Sequence, residues 1–495
     1  MTRYSRLRSI VPAQAGGVAY LSVSLMAFLA VQIPRLNHAL TGSWSFRFTQ
    51  TAFTVRSFLR DGWNPFRVEL PIFGPPWRVP MEFPIFQWLA AAVSRVLGLG
   101  EVAASRSVVL ASFLASAVIT YAIVRRLWGV FVAQLTLAFY LWSPFALDWG
   151  AQVLIDFTAV AILAGAALAA LRAVDGGAAR WWAIAWGLGA LGALQKVTTA
   201  VSWILVWILG AVLLRLRGAR TRGVAVAGAV STFAPVALWT LWSDGVKRAN
   251  YLTEFLTSTN LRDFNFGTWD QRLDPHAWGD PYVRFSEALV GGPVVGVIVV
   301  VVALAFSRSA LLVGLTLVAA LSAPIVFLNL YGHDYYPIAI YPFACILAGC
   351  AVGHLALRVW TGRPAHHVRM LAGVMTVSQL ALAATSANGF ERLTSLERPA
   401  SRAETTEINA VVPAGEWLIV VGDDWSSTIL YETDRRGVMY RERGGRVAPN
   451  ALGRDYRWVY WHPVLPFAWE DYFPEGVGYV QESEHVYRIE VRGAA

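Results

Sequence analysis

Eleven runs of apolar residues recur along the chain, at about 17–33, 103–124, 128–146, 151–171, 181–195, 199–214, 223–242, 289–306, 309–329, 336–357 and 368–388. Each approaches the roughly 20 residues that an α-helix needs to cross a bilayer. The pattern predicts a polytopic α-helical membrane protein of about 11 spans. The first run follows Arg3, Arg6 and Arg8 but is too long for a signal-peptide core and lacks a cleavage pattern, so it reads as a retained span. Arg125 and Arg126, Arg172 and Arg180, Arg215 to Arg222, Arg308, then Arg358, Arg363 and Arg369 mark alternate connections. The positive-inside rule places these connections and the N-terminus in the cytoplasm. The opposite connections include two long ones, at about 34–102 and 243–288. An odd number of spans then leaves the C-terminal tail outside.

That tail has a different character. Residues 389–495 hold 29 charged side chains among 107, close to the roughly 25% of soluble domains. Glu416-Trp-Leu-Ile-Val-Val-Gly-Asp-Asp424 reads as a buried strand ending in a turn. Ser426 to Arg436 reads as a helix stopped by Gly437, and alternation resumes at Arg457 to Trp461 and Val486 to Val491. The expected organisation is a transmembrane module over 1–388 and a small extracytoplasmic α/β domain over 389–495.

Composition agrees with this pattern: 56% of residues are hydrophobic and only 15% charged, which excludes an ordinary soluble enzyme. The net charge of +9 lies in short clusters between apolar runs, with no basic face or reading motif for nucleic acid. Cys345 and Cys350, the only cysteines, fall five apart on one apolar run. On one helix they point in different directions, so two packed thiols are expected.

Candidate chemistry begins in the first long loop, in the stretches Gly42 to Arg60 and Gly74 to Trp88. Thr49 to Arg60 has helical periodicity, with Phe53 and Phe58 apolar and Arg56 and Arg60 polar, as in a helix lying at the membrane surface. Glu82, between Met81 and Phe83-Pro84, opens an apolar run, where partial desolvation raises a carboxylate toward general-base strength; pairing with a neighbouring Arg is the plainer alternative. Asp156 lies near the outer end of the fourth span, and ionisable residues inside spans mark sites by default. Asp148 precedes it in the connecting loop. The chain holds only two lysines, Lys196 and Lys247, against 39 arginines. Lys196 falls between two apolar runs at the outer boundary, where a compact ammonium suits a phosphate and snorkelling to headgroups is the competing account. His333-Asp334-Tyr335-Tyr336 opens the tenth span, a position where tyrosines also serve as ordinary interfacial anchors. In the tail, Asp423-Asp424-Trp425 reads either as a carbohydrate or metal site or as a strand-end turn. There is no P-loop, dinucleotide turn or zinc spacing.

In order and sidedness these residues resemble the GT-C glycosyltransferases, specifically the glycosyltransferase family 39 group of protein O-mannosyltransferases and the bacterial aminoarabinose transferase. The resemblance covers roughly 30–390. It rests on the first-loop segment with Trp44, Arg47 and Gln50, on Glu82-Phe-Pro84, on Asp156 and Lys196, and on the His-Asp-Tyr-Tyr run. It implies an inverting enzyme of the bacterial cytoplasmic membrane that moves a sugar from a polyprenyl phosphate to a glycan, lipid or protein acceptor on the outer face. Glu82 or Asp156 would be the base or acceptor-orienting acid. Lys196, with Arg47 or Arg56, would hold the donor phosphate, and Trp44, Gln50, Asp148, His333, Asp334, Tyr335 and Tyr336 would line the substrates. The sequence departs from many relatives in one respect: Arg35 to Arg47 contains no acid. Either Glu82 has taken that role, or His38 contributes, or the protein is a catalytically reduced scaffold. The same gap leaves a divalent metal open, because hard cations want several oxygen ligands. The competing function is a transporter or flippase of a lipid-linked glycan, which would favour paired repeats and interrupted helices at mid-membrane.

Overall fold

The computed structural model describes residues 14–42, 44–176, 179–213, 218–307, 309–359, 365–385, 402–423, 425–440 and 456–491. Arg3, Arg6, Arg8, Arg215, Arg308, Arg363 and Asp424 lie outside these residues. The chain divides into two compact units, each discontinuous in sequence: 1–36, 106–240 and 261–396 form the first, and 37–105, 241–260 and 397–495 the second.

The first unit is helical. It contains α1 (Gln14–Gln32), most of α4 (Glu101–Trp128), α5 (Val130–Trp142), α6 (Pro144–Trp149), α7 (Asp156–Gly176), α8 (Ala179–Gln195), α9 (Val197–Leu213) and α10 (Gly218–Ser231). After the first half of α11 (Ala234–Arg248) come α12 (Arg262–Phe266), α13 (Trp269–Leu273), α14 (Pro275–Val290), α15 (Pro293–Phe306), α16 (Ala310–Val326), α17 (Tyr341–Val359) and α18 (Ala365–Thr385). Each of the eleven apolar runs carries a helix. Among the described residues, five helices are long and apolar enough to cross a membrane, or six if α14 and α15, bent by 76° at Gly291-Gly292, count as one span. The remaining apolar helices are shorter.

Apolar residues in lipid gain little by burying against one another, so spanning helices associate through close packing of small residues. α17 does this with Gly349 and Gly353, one turn apart on one face. A Cβ on Gly353 would come within 2.9 Å of Val132 on α5, and one on Gly349 would strike the Thr136 backbone at 2.8 Å. Cys345 and Cys350 on the same helix are buried and unbridged.

The second unit is built on a five-stranded mixed sheet: β1 (Trp417–Val421), β2 (Gly437–Tyr440), β3 (Tyr456–Trp461), β4 (Val477–Gln481) and β5 (Val486–Val491), in the order β2-β1-β3-β5-β4. β1 runs parallel to β2 and β3, and β5 antiparallel to β3 and β4. α19 (Ala403–Val411) precedes β1, α20 (Thr428–Glu432) joins β1 to β2, and α21 (Trp469–Tyr472) joins β3 to β4. The expected helix over 426–436 is thus only one turn and a half, and Gly437 opens a strand. The free edge of β2 is covered by the first long loop: Gly437 N and Met439 N donate to Pro71 O and Ile72 O, and Gly74 N to Gly437 O. Covering an edge strand removes a row of unpaired backbone groups. The tail therefore packs as one body with residues 37–105, including α2 (Ser45–Asp61) and α3 (Ile85–Leu97).

Candidate functional site

Charged side chains in the first unit are drawn together around Asp156. It is the first residue of α7, where a negative charge favours the positive end of the helix dipole, and it is 1% exposed. Lys196 sits at the junction of α8 and α9 and is equally hidden. Its Nζ lies 2.5 Å from Asp156 Oδ1. The ammonium also lies 4.6 Å from the ring centre of Tyr336 and 5.4 Å from that of Tyr335, within the range where a ring face attracts a cation. The Tyr335 and Tyr336 rings are 4.9 Å apart, and His333 stands about 6 Å from both, at 5.9 and 5.8 Å.

This pair is incompletely satisfied. Asp156 Oδ2 makes no hydrogen bond among the described residues, and neither does the buried hydroxyl of Tyr331. Burial, and then the Asp156 charge, push the Tyr331 phenol well above its ordinary pKa, so it remains a neutral donor. Tyr331 escaped the sequence reading, although it lies only two residues ahead of the His-Asp-Tyr-Tyr run. Of the other expected residues in this unit, Asp148 is half-buried at the end of α6, within electrostatic reach of Arg35. Asp334 does not join Lys196 but pairs with Arg284 at 2.8 Å, both side chains more than 40% exposed.

A separate constellation belongs to the second unit. Arg47 on α2 donates to Glu82 Oε1 at 3.0 Å, to Gln50 Oε1 at 3.3 Å and to Met81 Sδ at 3.7 Å. Gln50 in turn donates to the Trp425 carbonyl at 3.1 Å, and Thr49 Oγ1 and Ser427 Oγ are hydrogen-bonded to each other at 2.7 Å. Trp44 leads into α2, its ring 5.9 Å from Phe46, which is 5.9 Å from Trp425. Trp425 is therefore part of the packing around α2. His38 is half-buried in the segment ahead of that helix.

Arg56 behaves differently from the expectation for a phosphate ligand. Its guanidinium is taken up by Glu101 at 2.7 Å, Asp434 at 2.9 Å and the Tyr431 carbonyl at 2.8 Å, and it lies 4.0 Å over the Tyr431 ring. Nor does α2 lie at a surface with one face exposed. Residues Phe48 to Val55, Ser57 and Phe58 are all buried, polar and apolar alike, because α3 covers one side and α20 of the tail another. The partners Glu101 and Asp434 carried no sequence signal, since each is one acid among many.

Among the described residues no three His, Cys, Asp or Glu side chains come together as a metal site.

The sequence model of the dolichyl-phosphate-mannose-protein mannosyltransferase family matches residues 78–239, the stretch that holds Glu82, Asp148, Asp156 and Lys196. The crystal structure of apo ArnT from Cupriavidus metallidurans superposes with a TM-score of 0.62, at 16% identity, over 97% of this chain and 99% of that one. The fold is that of a GT-C glycosyltransferase. The undecaprenyl phosphate complex of the same ArnT gives a TM-score of 0.60 at 14% identity, over 96% and 98% of the two chains. The apo oligosaccharyltransferase of Archaeoglobus fulgidus gives 0.53 at 11% identity, over 90% of this chain and 69% of that one. No curated protein sequence matches the chain. The likeness to GT-C glycosyltransferases thus covers the whole fold, and the family-model match covers residues 78–239.

Proposed function

We propose that this protein is an inverting glycosyltransferase that moves a sugar from a polyprenyl phosphate to a glycan, lipid or protein acceptor at the outer face of a bacterial cytoplasmic membrane. The proposal includes eleven spans, a cytoplasmic N-terminus and an extracytoplasmic tail. The observation that carries it is the full-length GT-C fold, shared with a protein crystallised with undecaprenyl phosphate, around a buried and incompletely satisfied Asp156–Lys196 pair.

In the proposed reaction the acceptor hydroxyl oxygen attacks the anomeric carbon from the face opposite the phosphate. The bond from that carbon to the phosphate oxygen breaks, its electron pair leaves with the polyprenyl phosphate, and the acceptor proton passes to a carboxylate. Lys196 holds the phosphate, whose negative charge grows as the bond breaks; a preorganised cation at such a position is a large source of rate. Once Lys196 turns to phosphate, Asp156 loses its counter-ion and becomes the base. Lysine suits this exchange because it is a mobile point charge. The Arg47 guanidinium pairs with Glu82 at 3.0 Å, which fits Glu82 to orienting the first-loop segment and acceptor. Trp44, Gln50, Asp148, His333, Tyr335 and Tyr336 are the proposed lining. We assign Arg56 to holding α2 against the tail.

The test is transfer from labelled polyprenyl-phosphate sugars by the purified protein in membranes. A labelled product formed by the parent and lost with Asp156→Asn and Lys196→Ala is the expected result. Lys196-dependent donor binding without transfer by any sample would replace this reading with a transporter or a catalytically reduced scaffold.

A further inference from the structure

A cavity of ≈ 360 Å³ lies wholly within the second unit, bounded by Arg60, Asn409, Trp417, Asp434, Arg435 and Arg436. It is formed where α19, the turn into β1 and the turn between α20 and β2 meet the end of α2. None of these residues takes part in the chemistry proposed above. The volume is at the lower end of small-molecule sites, about 300–1,000 Å³.

Three guanidiniums and the Asp434 carboxylate line this wall, two further carboxylates, Asp61 and Glu69, lie against Arg436, and the commitments of the three arginines differ. Arg60 pairs with Asp434 at 2.8 Å and is half exposed. Arg436 donates to both oxygens of Asp61, at 2.9 and 2.8 Å, with its side chain 34% exposed. Arg435 is 4% exposed and donates to Asn409 Oδ1 at 2.5 Å, Thr433 O at 2.7 Å and Val412 O at 2.6 Å, yet its Nε has no partner among the described residues. A buried donor of a charged group is costly to leave unmade, and here it belongs to a side chain that lines a cavity. Trp417, held edge-on by Trp77 at 5.0 Å and Tyr456 at 5.2 Å, supplies a rigid apolar wall, and Asn409 supplies an amide. Arginine forks match phosphate and carboxylate oxygens, while an aromatic wall beside an amide suits the mixed apolar and hydroxylated surface of a sugar.

We propose that this cavity binds an anionic saccharide, a monosaccharide unit bearing a phosphate or carboxylate, at a site separate from Lys196. The anion follows from the arginines; the saccharide also rests on the glycosyltransferase reading.

The test is calorimetric titration of the full-length protein in nanodiscs with glucose 1-phosphate, glucuronate, glucose and inorganic phosphate, on the parent and on Arg436→Gln, Arg60→Gln, Trp417→Phe and Lys196→Ala. Glucose 1-phosphate or glucuronate should bind saturably, about tenfold tighter than glucose or inorganic phosphate. Arg436→Gln and Arg60→Gln should each weaken that binding about tenfold in protein that still unfolds in one cooperative transition, and Trp417→Phe should weaken the sugar anions more than inorganic phosphate. Lys196→Ala should leave it intact. Absence of saturable binding overturns the proposal, as does binding lost in Lys196→Ala but kept in Arg436→Gln. Equal affinity for inorganic phosphate and the sugar anions overturns the saccharide. Transfer measured on the same samples separates the two proposals: transfer without this binding sinks only the cavity, and this binding without transfer sinks only the enzyme.

Discussion

The chain's two lysines each lie buried against an aspartate, one in each unit, and the two pairs are built differently. Lys247 and Asp244 lie one turn apart on α11, 3.0 Å from each other. Lys247 also donates to Leu256 O at 2.8 Å, while Asp244 accepts from Ser258 N at 3.1 Å and Ser258 Oγ at 2.5 Å. Every charge there is met, and the network ties down the segment that follows the helix. The Asp156–Lys196 pair leaves one carboxylate oxygen without a hydrogen bond among the described residues and sets the ammonium against two ring faces. A buried ion pair is weak evidence for stability by itself, and buried polar atoms without partners are the exception in folded proteins. Completeness of the hydrogen bonding thus separates the Asp244–Lys247 pair from the Asp156–Lys196 pair, to which the proposed exchange of partners is assigned.

The comparison breaks most directly at the carboxylates. Asp156→Asn should lower kcat about 10²–10⁴-fold, the usual worth of a positioned base, with Glu82→Gln costing about tenfold; steady-state transfer rates check both. A larger loss with Glu82→Gln would move the base to the second unit. Removing each pair whole sharpens the contrast. Asp156→Asn with Lys196→Met should abolish transfer while changing stability by less than about 1 kcal/mol, because apolar or neutral replacement of a buried pair is often neutral. Asp244→Leu with Lys247→Met strands Leu256 O and Ser258 N and should cost about 2–4 kcal/mol, with transfer per folded molecule retained. Chemical unfolding in detergent measures the two side by side.

A smaller effect is expected at the rings. Tyr336→Leu removes a cation–π contact worth about 0.5–2 kcal/mol and should raise KM for the donor several-fold with kcat nearly unchanged. Smallest is a pH effect confined to the second unit. A hydrogen bond from Arg60 holds the Asp434 carboxyl below the ordinary carboxylate range, burial opposes this, and the Arg56 charge adds to the lowering. Its folded pKa is therefore below its unfolded value of about 3.9. The stabilisation is fully present above that value and is lost as pH falls through the folded pKa. Since Asp434 is half exposed, the change should be slight, seen as a steeper acid loss of Tm in the parent than in Asp434→Asn.

Parts of this organisation were legible because they are local. Each apolar run carries a helix, and the charge-rich tail carries a sheet, although it forms one unit with residues 37–105. Asp156 stood out because a charge inside an apolar run is conspicuous in one dimension, and Lys196 because lysine is rare in this chain and this one falls between two apolar runs. Arg56 did not reveal its role: its partners Glu101 and Asp434 lie 45 and 378 residues away, and periodicity made α2 look like a surface helix. The strand-edge contacts of residues 71–74 were equally hidden, since a single short segment carries no alternation.

The order of residues by itself determined the membrane class, the sites of the helices and the rarity of the two lysines, because hydrophobic length, helical period and composition are properties of neighbouring residues. Only the tertiary structure decided that Lys196 meets Asp156 beneath two tyrosines while Lys247 closes a complete network. It also decided that the tail folds onto the first long loop. Hydrogen bonds and ion pairs act over about 3 Å, and which side chains come that close is set by how helices and strands pack, long after the local pattern has been spent.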